Sequence, residues 1–323
     1  MKIISFGIKI FLDAYRDTVR IIKHFRLIAL NGFIIIPKLF LIRLIYTLSF
    51  FRNLIKVKIR DNESFDEYFV KKGIYSKDLT YKIDKDGCSK TYMLKDNLKE
   101  ELLNEAIHNR DLEYKQNKNI DQNILIKKKQ ENIEDYFDRL INENISRVTG
   151  FIDLKKDSRV KTFLTSKPII SFAKNYLNSQ SFSISASFFV SNPIEISKKE
   201  KYANAQFFHW DNDFSKFLKL YIYLTDVDEA SGPHVYIPKS HKKKELESSL
   251  PRLYDDNFIY SSYEEKIEYK GKAGSIFFTD GYGLHKGETP QKKSRLVLNV
   301  HFGRNKIFYS NKDELLCYDC NHK

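Results

Sequence analysis

An imidazole and a carboxylate stand two residues apart in segment 206–211, QFFHWD. On a β-strand, residues i and i+2 point to the same face, so His209 and Asp211 would share one face. Two histidines and one carboxylate on one face of an octahedron leave three positions free, which is the ligand arrangement of non-haem Fe(II) oxygenases. His285 is the candidate third ligand, because it follows the apolar run 275–279 and a loop there would present it to a cavity. The spacing therefore predicts a metal site made by His209, Asp211 and His285.

A His-x-Asp pair also has a purely structural interpretation, because such pairs occur by chance on protein surfaces. Three other histidines, His234, His241 and His301, lie in the same half of the chain. Phe208 and Trp210 flank the pair with the opposite parity, and we expect them to pack against the protein interior. The choice among the histidines therefore depends on the elements that carry them.

The elements that must position these ligands are predicted strands. From residue 181 onward, apolar residues recur with a period of two, first in 181–188 and again in 218–225. Further strands are predicted at 234–237, 266–269, 275–279 and 295–302. Many short strands separated by turns are typical of an all-β sandwich or jelly roll. In the last predicted strand, one face is wholly apolar and the other carries Arg295, Val297, Asn299 and His301.

The chain before residue 181 is predicted to be mainly helical. Segments 131–148 and 168–178 have the spacing of amphipathic helices, and the rest of 61–148 is polar, with few Gly or Pro residues. These helices would cover the apolar face of the sheet, because an apolar face must be buried against another layer. The expected organisation is a helical extension at 1–60, a mainly β domain with preceding helices at 61–310, and a tail at 311–323.

The extension is strongly basic, since residues 1–60 contain twelve Lys and Arg against two Asp, a surplus of ten of the net +13. Its apolar run 27–51 is broken by Pro37, Lys38 and Arg43, which disfavours a membrane-spanning helix. Two alternatives stay open: an amphipathic segment lying on an anionic membrane, or helices packed on the rest of the protein. No stacking motif or recognition fold indicates nucleic-acid binding.

The number of cysteines and the charges near residue 1 indicate the cellular compartment. The chain has three cysteines, too few for a disulfide framework, and charges interrupt any secretory h-region near the start. We therefore expect a cytoplasmic protein, with peripheral membrane attachment as the alternative.

Cys317, Cys320 and His322 form a C-x-x-C-x-H cluster that would bind zinc with Cys88, or be spare thiols on a tail.

Residues 200–305 as a whole resemble the phytanoyl-CoA dioxygenase family of Fe(II)- and 2-oxoglutarate-dependent oxygenases. The motifs that carry the resemblance stand in the family's order: His209-Trp210-Asp211, a strand ending in Leu224-Thr225-Asp226-Val227-Asp228, Gly232-Pro233, Pro238-Lys239-Ser240-His241, Gly271-Lys272-Ala273-Gly274, Gly283-Leu284-His285-Lys286-Gly287 and Arg295. His234 and Lys239 depart from the family, which often has an apolar residue and a Gly there. No motif is recognisable before residue 150.

The resemblance implies a double-stranded β-helix (jelly roll) covered by helices, and a cosubstrate. In such a site, 2-oxoglutarate would chelate Fe(II) and pair its far carboxylate with Arg295, with Thr279 and Ser294 as candidates for a hydroxyl contact. Oxygen, O2, would take the last position, and an unidentified organic substrate would be hydroxylated with release of succinate and CO2. The presence of Asp211 indicates hydroxylation or a related oxidation, since the halogenating enzymes that resemble this pattern lack the carboxylate.

The substrate implied by the family is a small molecule or an acyl- or carrier-linked group. A function of a different class also stays open: a catalytically inactive jelly-roll binding protein that is attached to a membrane or a partner through its basic N-terminus.

Overall fold

A computed structural model describes residues 52–108, 113–115, 123–125, 132–244, 253–306 and 315–317. Within these ranges the helices are α1 (Ser76–Asp86), α2 (Asp96–His108), α3 (Ile133–Asn142), α4 (Arg159–Leu164), α5 (Lys167–Leu177), α6 (Lys198–Ala203) and α7 (Asp256–Ser262). The strands are β1 (Tyr92–Met93), β2 (Glu113–Lys115), β3 (Asn123–Leu125), β4 (Arg147–Ile152), β5 (Phe182–Ser191), β6 (Phe208–His209), β7 (Phe214–Tyr223), β8 (His234–Tyr236), β9 (Leu253–Tyr254), β10 (Ile267–Tyr269), β11 (Ser275–Asp280), β12 (His285–Gly287), β13 (Arg295–Lys306) and β14 (Leu315–Cys317). Residues 1–51 of the predicted extension and most of the tail 311–323 lie outside the described residues. Among the helices described, none is long and apolar enough to cross a membrane.

Two antiparallel sheets form most of the β part, and β2 pairs with β3 in a separate two-stranded sheet. The larger has seven strands, with the order β1-β11-β7-β13-β5-β14 and β4 paired to β5, while the smaller has five in the order β10-β8-β12-β6-β9. From β5 to β13 the chain passes back and forth between them, so that β5, β7, β11 and β13 lie in the larger sheet and β6, β8, β10 and β12 in the smaller. This is the strand arrangement of a double-stranded β-helix, and the predicted fold class is confirmed.

The register of the larger sheet separates its two faces. Leu220 of β7 is paired with Phe278 on one side and Val300 on the other, and all three are buried in the main apolar core. Neighbouring residues on the same strands face the space between the sheets, as alternation along a strand requires. The prediction that Arg295 and His301 lie opposite an apolar face is therefore confirmed.

Helix α5 covers the apolar face and was predicted at 168–178. It begins after Ser166 with Pro168 in its first turn, where the missing N–H of proline costs nothing, and it ends at Leu177, capped by Asn178 in the left-handed conformation. Phe172 meets Phe278 of β11 edge to face, with ring centroids 5.0 Å apart. The helix layer therefore seals the larger sheet on the side away from the smaller one.

The predicted helix 131–148 was wrong in its second half. Helix α3 ends at Asn142, Asn144 adopts a left-handed φ of 56°, and β4 begins at Arg147. Val148 is paired with Val190 of β5, so an edge of the larger sheet takes residues that helical spacing had assigned to α3. The short strands β1, β2 and β3 also lie in sequence predicted to be helix and loop, so the prediction was wrong at these positions.

Candidate metal centre

His209 and His285 face each other across neighbouring strands of the smaller sheet. They are register partners in the pairing of β6 with β12, and their ring centroids are 4.3 Å apart. The prediction that a loop carries His285 was wrong: the residue is the first of β12. Pairing both ligands within one sheet fixes their backbones relative to each other.

Backbone carbonyls orient both imidazoles. Nδ1 of His209 lies 2.9 Å from the carbonyl oxygen of Phe207, and Nδ1 of His285 lies 2.8 Å from that of Gly283. A ring N–H donated to a carbonyl leaves the lone pair on Nε2, which is how metal-binding histidines are commonly held. Gly283 has no room for a side chain, since a Cβ there would lie 1.8 Å from the Tyr236 hydroxyl.

Asp211 completes the cluster from the segment that follows β6. Its backbone N–H donates to the carbonyl of Gly281 at 2.8 Å, and its carboxylate lies 3.5 Å from Nε2 of His285 and 4.0 Å from Nε2 of His209. One ligand atom from each of the three residues falls within 4.8 Å of the others. The structure thus brings together the three ligands predicted from sequence, and two imidazoles with one carboxylate suit Fe(II).

A fourth group in this cluster is one that sequence reasoning missed. Lys219, buried on β7, places its Nζ 2.9 Å from Oδ2 of Asp211 and 3.2 Å from Nε2 of His285. Strand parity offered a signal for it, because Lys219 is a cation on the face of 218–225 that also carries Tyr221 and Tyr223.

Burial and charge set the ionisation of the cluster. Burial, with the repulsion of His285, lowers the pKa of His209 to about 3. Burial, with the repulsion of Lys219, also lowers the pKa of His285. Burial alone would raise the pKa of Asp211, but Lys219 and the two imidazoles outweigh it and hold that pKa well below its usual value. At neutral pH the site therefore offers two neutral imidazoles and one carboxylate, the protonation states that metal ligation needs.

Arg295 lies at the start of β13, buried at the other end of the same inner face. Its Nη2 lies 3.4 Å from the carbonyl oxygen of Glu288. Arg147 of β4 is half-buried nearby: both arginines have Ser191 of β5 as register partner. Burial, with the repulsion of Arg295, lowers the pKa of Arg147 to about 10, so this guanidinium stays charged at neutral pH. A buried and a half-buried cation side by side make this end of the space between the two sheets, here called the cavity, suitable for an anion.

The two hydroxyls predicted to contact a cosubstrate have different surroundings. Thr279 is the register partner of Lys219, and its Oγ1 is buried without a hydrogen-bond partner among the described residues. Ser294 instead donates its hydroxyl to Oδ1 of Asn192 at 2.7 Å. Thr279 therefore belongs to the Lys219 end of the cavity and Ser294 to the Arg295 end, and both contacts stay predictions.

Further polar atoms of the cavity lack protein partners in the described part of the chain. They are Nε2 of His234 and Oδ1 of Asn299, both buried. The ring of His234 lies against that of Tyr221, with centroids 4.4 Å apart. Because buried polar groups are normally paired, such atoms mark space that a ligand or water occupies.

The remaining sequence predictions concern aromatic residues and cysteines. Phe208 and Trp210 are buried in a core cluster on the far side of the ligand segment, as expected, and Trp210 meets Tyr282 edge to face at 5.1 Å. Cys88 is buried and unpaired. Cys320 and His322, needed for the alternative zinc site, lie outside the described residues.

Comparison with known proteins gives one family match and several structural likenesses. The sequence model described as Phytanoyl-CoA dioxygenase (PhyH) matches residues 96–295, more than half of the chain. No curated protein matches the chain.

Solved structures that resemble the chain include three that are 10 to 13% identical to it. The non-heme alpha ketoglutarate dependent epimerase SnoN from nogalamycin biosynthesis is 13% identical, with 71% of this chain and 80% of that one covered and a TM-score of 0.41. EctD from S. alaskensis with bound Fe is 12% identical, with 78% and 87% covered and a TM-score of 0.45. HygX from Streptomyces hygroscopicus, with nickel, 2-oxoglutarate and hygromycin B bound, is 10% identical, with 70% and 86% covered and a TM-score of 0.46.

Proposed function

The chain belongs to the phytanoyl-CoA dioxygenase family of Fe(II)- and 2-oxoglutarate-dependent oxygenases, and from this premise we propose that it hydroxylates an organic substrate. One observation carries the proposal: ligand atoms of His209, Asp211 and His285 lie within 4.8 Å of one another inside the double-stranded β-helix. Two imidazoles and one carboxylate would hold Fe(II) and leave it open to cosubstrate and oxygen.

Each residue has a role under this proposal. His209, Asp211 and His285 hold the iron, with carbonyls of Phe207 and Gly283 keeping the imidazoles in place. Bound iron with 2-oxoglutarate and O2 supplies the oxidation, with succinate and CO2 as the products of the cosubstrate. Arg295 receives the far carboxylate of 2-oxoglutarate, since a guanidinium presents a fork of donors to such a group.

The unpaired polar atoms support a ligand-filled cavity. Oδ1 of Asn299, Nε2 of His234 and Oγ1 of Thr279 are buried on its walls without partners in the described residues. A bound cosubstrate and substrate would satisfy them, whereas an empty cavity would leave their desolvation uncompensated.

The test is succinate formation from 2-oxoglutarate in the presence of Fe(II), ascorbate and O2, with and without candidate substrates. Asp211→Ala and His285→Ala should abolish it. Asp226→Asn is the matched control, because this carboxylate is exposed and is paired with exposed Lys272. Wild-type protein that binds neither metal nor 2-oxoglutarate would refute the proposal.

A partner for the basic extension is a further part of the proposal. The surplus of ten positive charges in residues 1–60 supports peripheral contact with an anionic membrane, where a lipid-linked or carrier-linked substrate would be met. Flotation with anionic vesicles should separate full-length protein from a chain that starts at Asp61, and equal partitioning of the two would exclude membrane contact.

A second candidate function has one observation in its favour. The ammonium of Lys219 lies among the ligand atoms, as it would in a chain that had lost its metal and kept only binding. An inactive binding protein of this kind would show no metal affinity at all. Titration with Mn(II) therefore distinguishes the two candidates before any substrate is known.

A further inference from the structure

Lys219 competes for an atom that the metal needs. With Nδ1–H of His285 donated to the Gly283 carbonyl, Nε2 carries the only lone pair of that ring, and the ammonium of Lys219 lies 3.2 Å from it. The same ammonium lies 2.9 Å from Oδ2 of Asp211. A metal bound by His285 must therefore displace one hydrogen bond of Lys219, although the second oxygen of Asp211 leaves the other bond possible.

Strand pairing within the larger sheet fixes the backbone position of Lys219. The residue is paired with Thr279 on one side and His301 on the other, near the middle of β7. Its alkyl chain passes close over Gly281, where a Cβ would lie 3.1 Å from Cδ of Lys219. A lysine that is 7% exposed needs a charge partner, and Asp211 is that partner. The side chain is thus confined to the metal cluster and is largely shielded from solvent.

The positive charge of Lys219 affects how strongly a metal binds to the cluster. In the metal-free cluster, Lys219 and Asp211 neutralise each other, so an arriving divalent cation meets an ammonium already in place. Because like charges in a buried site repel strongly, the metal alone binds against this cation. A dicarboxylate that arrives with the metal restores the balance, and Arg295 at the far end of the cavity adds to its attraction.

We propose that Lys219 couples metal binding to binding of the anionic cosubstrate: its ammonium holds the metal position in the metal-free protein and pairs with a carboxylate beside the metal once both ligands are bound. The proposal rests on the proposed function, because it assumes that the cluster takes a metal and a 2-oxo acid. Lys219 is a positioning residue in this scheme, and its effect is on binding equilibria.

The experiment is titration of the full-length protein with Mn(II), which binds such ligands without turnover, in the absence and presence of 2-oxoglutarate. Lys219→Met removes the ammonium and keeps the length of the side chain. Lys216→Met is the matched control, since Lys216 is buried on the same strand but donates to the carbonyl of Ile55 and lies over the Tyr176 ring.

Lys219→Met should bind Mn(II) alone roughly tenfold to a hundredfold more tightly than wild type, because a charged hydrogen bond no longer competes. The enhancement of Mn(II) affinity by 2-oxoglutarate should be about tenfold smaller than in wild type. Part of the enhancement remains in wild type and in Lys219→Met, because direct chelation of the metal by 2-oxoglutarate does not need Lys219. Lys216→Met should match wild type in both quantities.

Thermal melting supplies a second readout. Without metal, Lys219→Met leaves the buried carboxylate of Asp211 without a neighbouring cation. The melting temperature of this variant should therefore be lower than that of wild type, and added Mn(II) should raise it by more. If this variant does not fold, Lys219→Gln retains a donor for Asp211 without the charge and should show the same direction, while Lys219→Arg should keep the wild-type coupling.

Two failures are distinguishable. Wild-type protein that binds no Mn(II) even with 2-oxoglutarate, and a Lys219→Met variant that also binds none, would remove the proposed function itself. If wild type binds Mn(II) and neither Lys219→Met nor Lys219→Gln binds Mn(II) more tightly than wild type, the proposed coupling is overturned. The proposed function is then unaffected.

Discussion

The two faces of the larger sheet are built from alternate residues of the same strands, yet their composition differs sharply. Leu220, Leu298 and Val300 on the outer face are fully buried against the helices. Their neighbours Lys219 and Asn299 on the inner face are buried and polar. Apolar burial favours folding, whereas buried polar atoms without partners oppose it. The comparison teaches that the outer face stabilises a scaffold whose inner face is kept for ligands.

Asp211→Ala is the sharpest test of the inner face. It removes a ligand and leaves Lys219 without its carboxylate, so metal affinity should fall more than about a hundredfold, beyond the loss expected for an outer-shell partner. Succinate formation should become undetectable. Calorimetric titration with Mn(II) measures the affinity, and circular dichroism checks the fold; full metal affinity in a folded variant would contradict the ligand assignment.

Leu298→Ala tests the outer face. Leu298 is fully buried between β5 and β7, so its truncation leaves a cavity and should lower the free energy of unfolding by about 2–5 kcal/mol. Urea denaturation measures this loss. Metal affinity of the folded protein should stay at the wild-type value, and a large change in that affinity would mean that the two faces are not independent.

Arg295→Met tests the far end of the inner face. Loss of a charged, forked donor should weaken 2-oxoglutarate binding roughly tenfold to a hundredfold. Binding of Mn(II) alone should not change, because Arg295 is not among the ligands. Arg295→Lys should recover part of the affinity, and equal 2-oxoglutarate affinity in all three proteins would place the cosubstrate elsewhere.

Thr279→Val has the smallest expected effect. The substitution keeps the shape and removes a hydroxyl that has no partner in the described residues, so the metal-free protein should be unchanged or more stable by up to about 1 kcal/mol. If Thr279 contacts the cosubstrate, 2-oxoglutarate affinity should fall in the same variant. Destabilisation of the metal-free protein would show that the hydroxyl already has a structural partner.

Strand parity predicted much of this arrangement. The alternation of 218–225 and 295–302 indicated which residues face the core, and the ordered motifs from His209 to Arg295 identified the family. Parity assigns a side chain to a face but does not measure its reach, which is why Lys219 was overlooked. The place of Thr279 relative to Arg295 depends on register between strands, which sequence spacing does not contain.

Helical spacing failed where a sheet edge competed for the same residues. Segment 131–148 has an amphipathic period, but Asn144 leaves the helical conformation and Val148 pairs with Val190 of β5. Long-range pairing overrides local propensity in such cases. His285 was assigned to a loop for a related reason: β12 has three residues, too few to show a period of two.

Lys286, next to the ligand His285, points the other way. Its buried ammonium lies 2.7 Å from Asp256 of α7 and 2.6 Å from Glu288, so the insert between β8 and β10 is tied to the strand that carries a metal ligand. An engineer who wished to change the substrate could randomise exposed positions of α7 while keeping Asp256 as its anchor and leaving β9 unchanged, because β9 pairs with the strand that carries His209. Diversity would then be confined to a helix outside the pairing of β6 with β12, and every member of such a library would keep His209 and His285 as register partners.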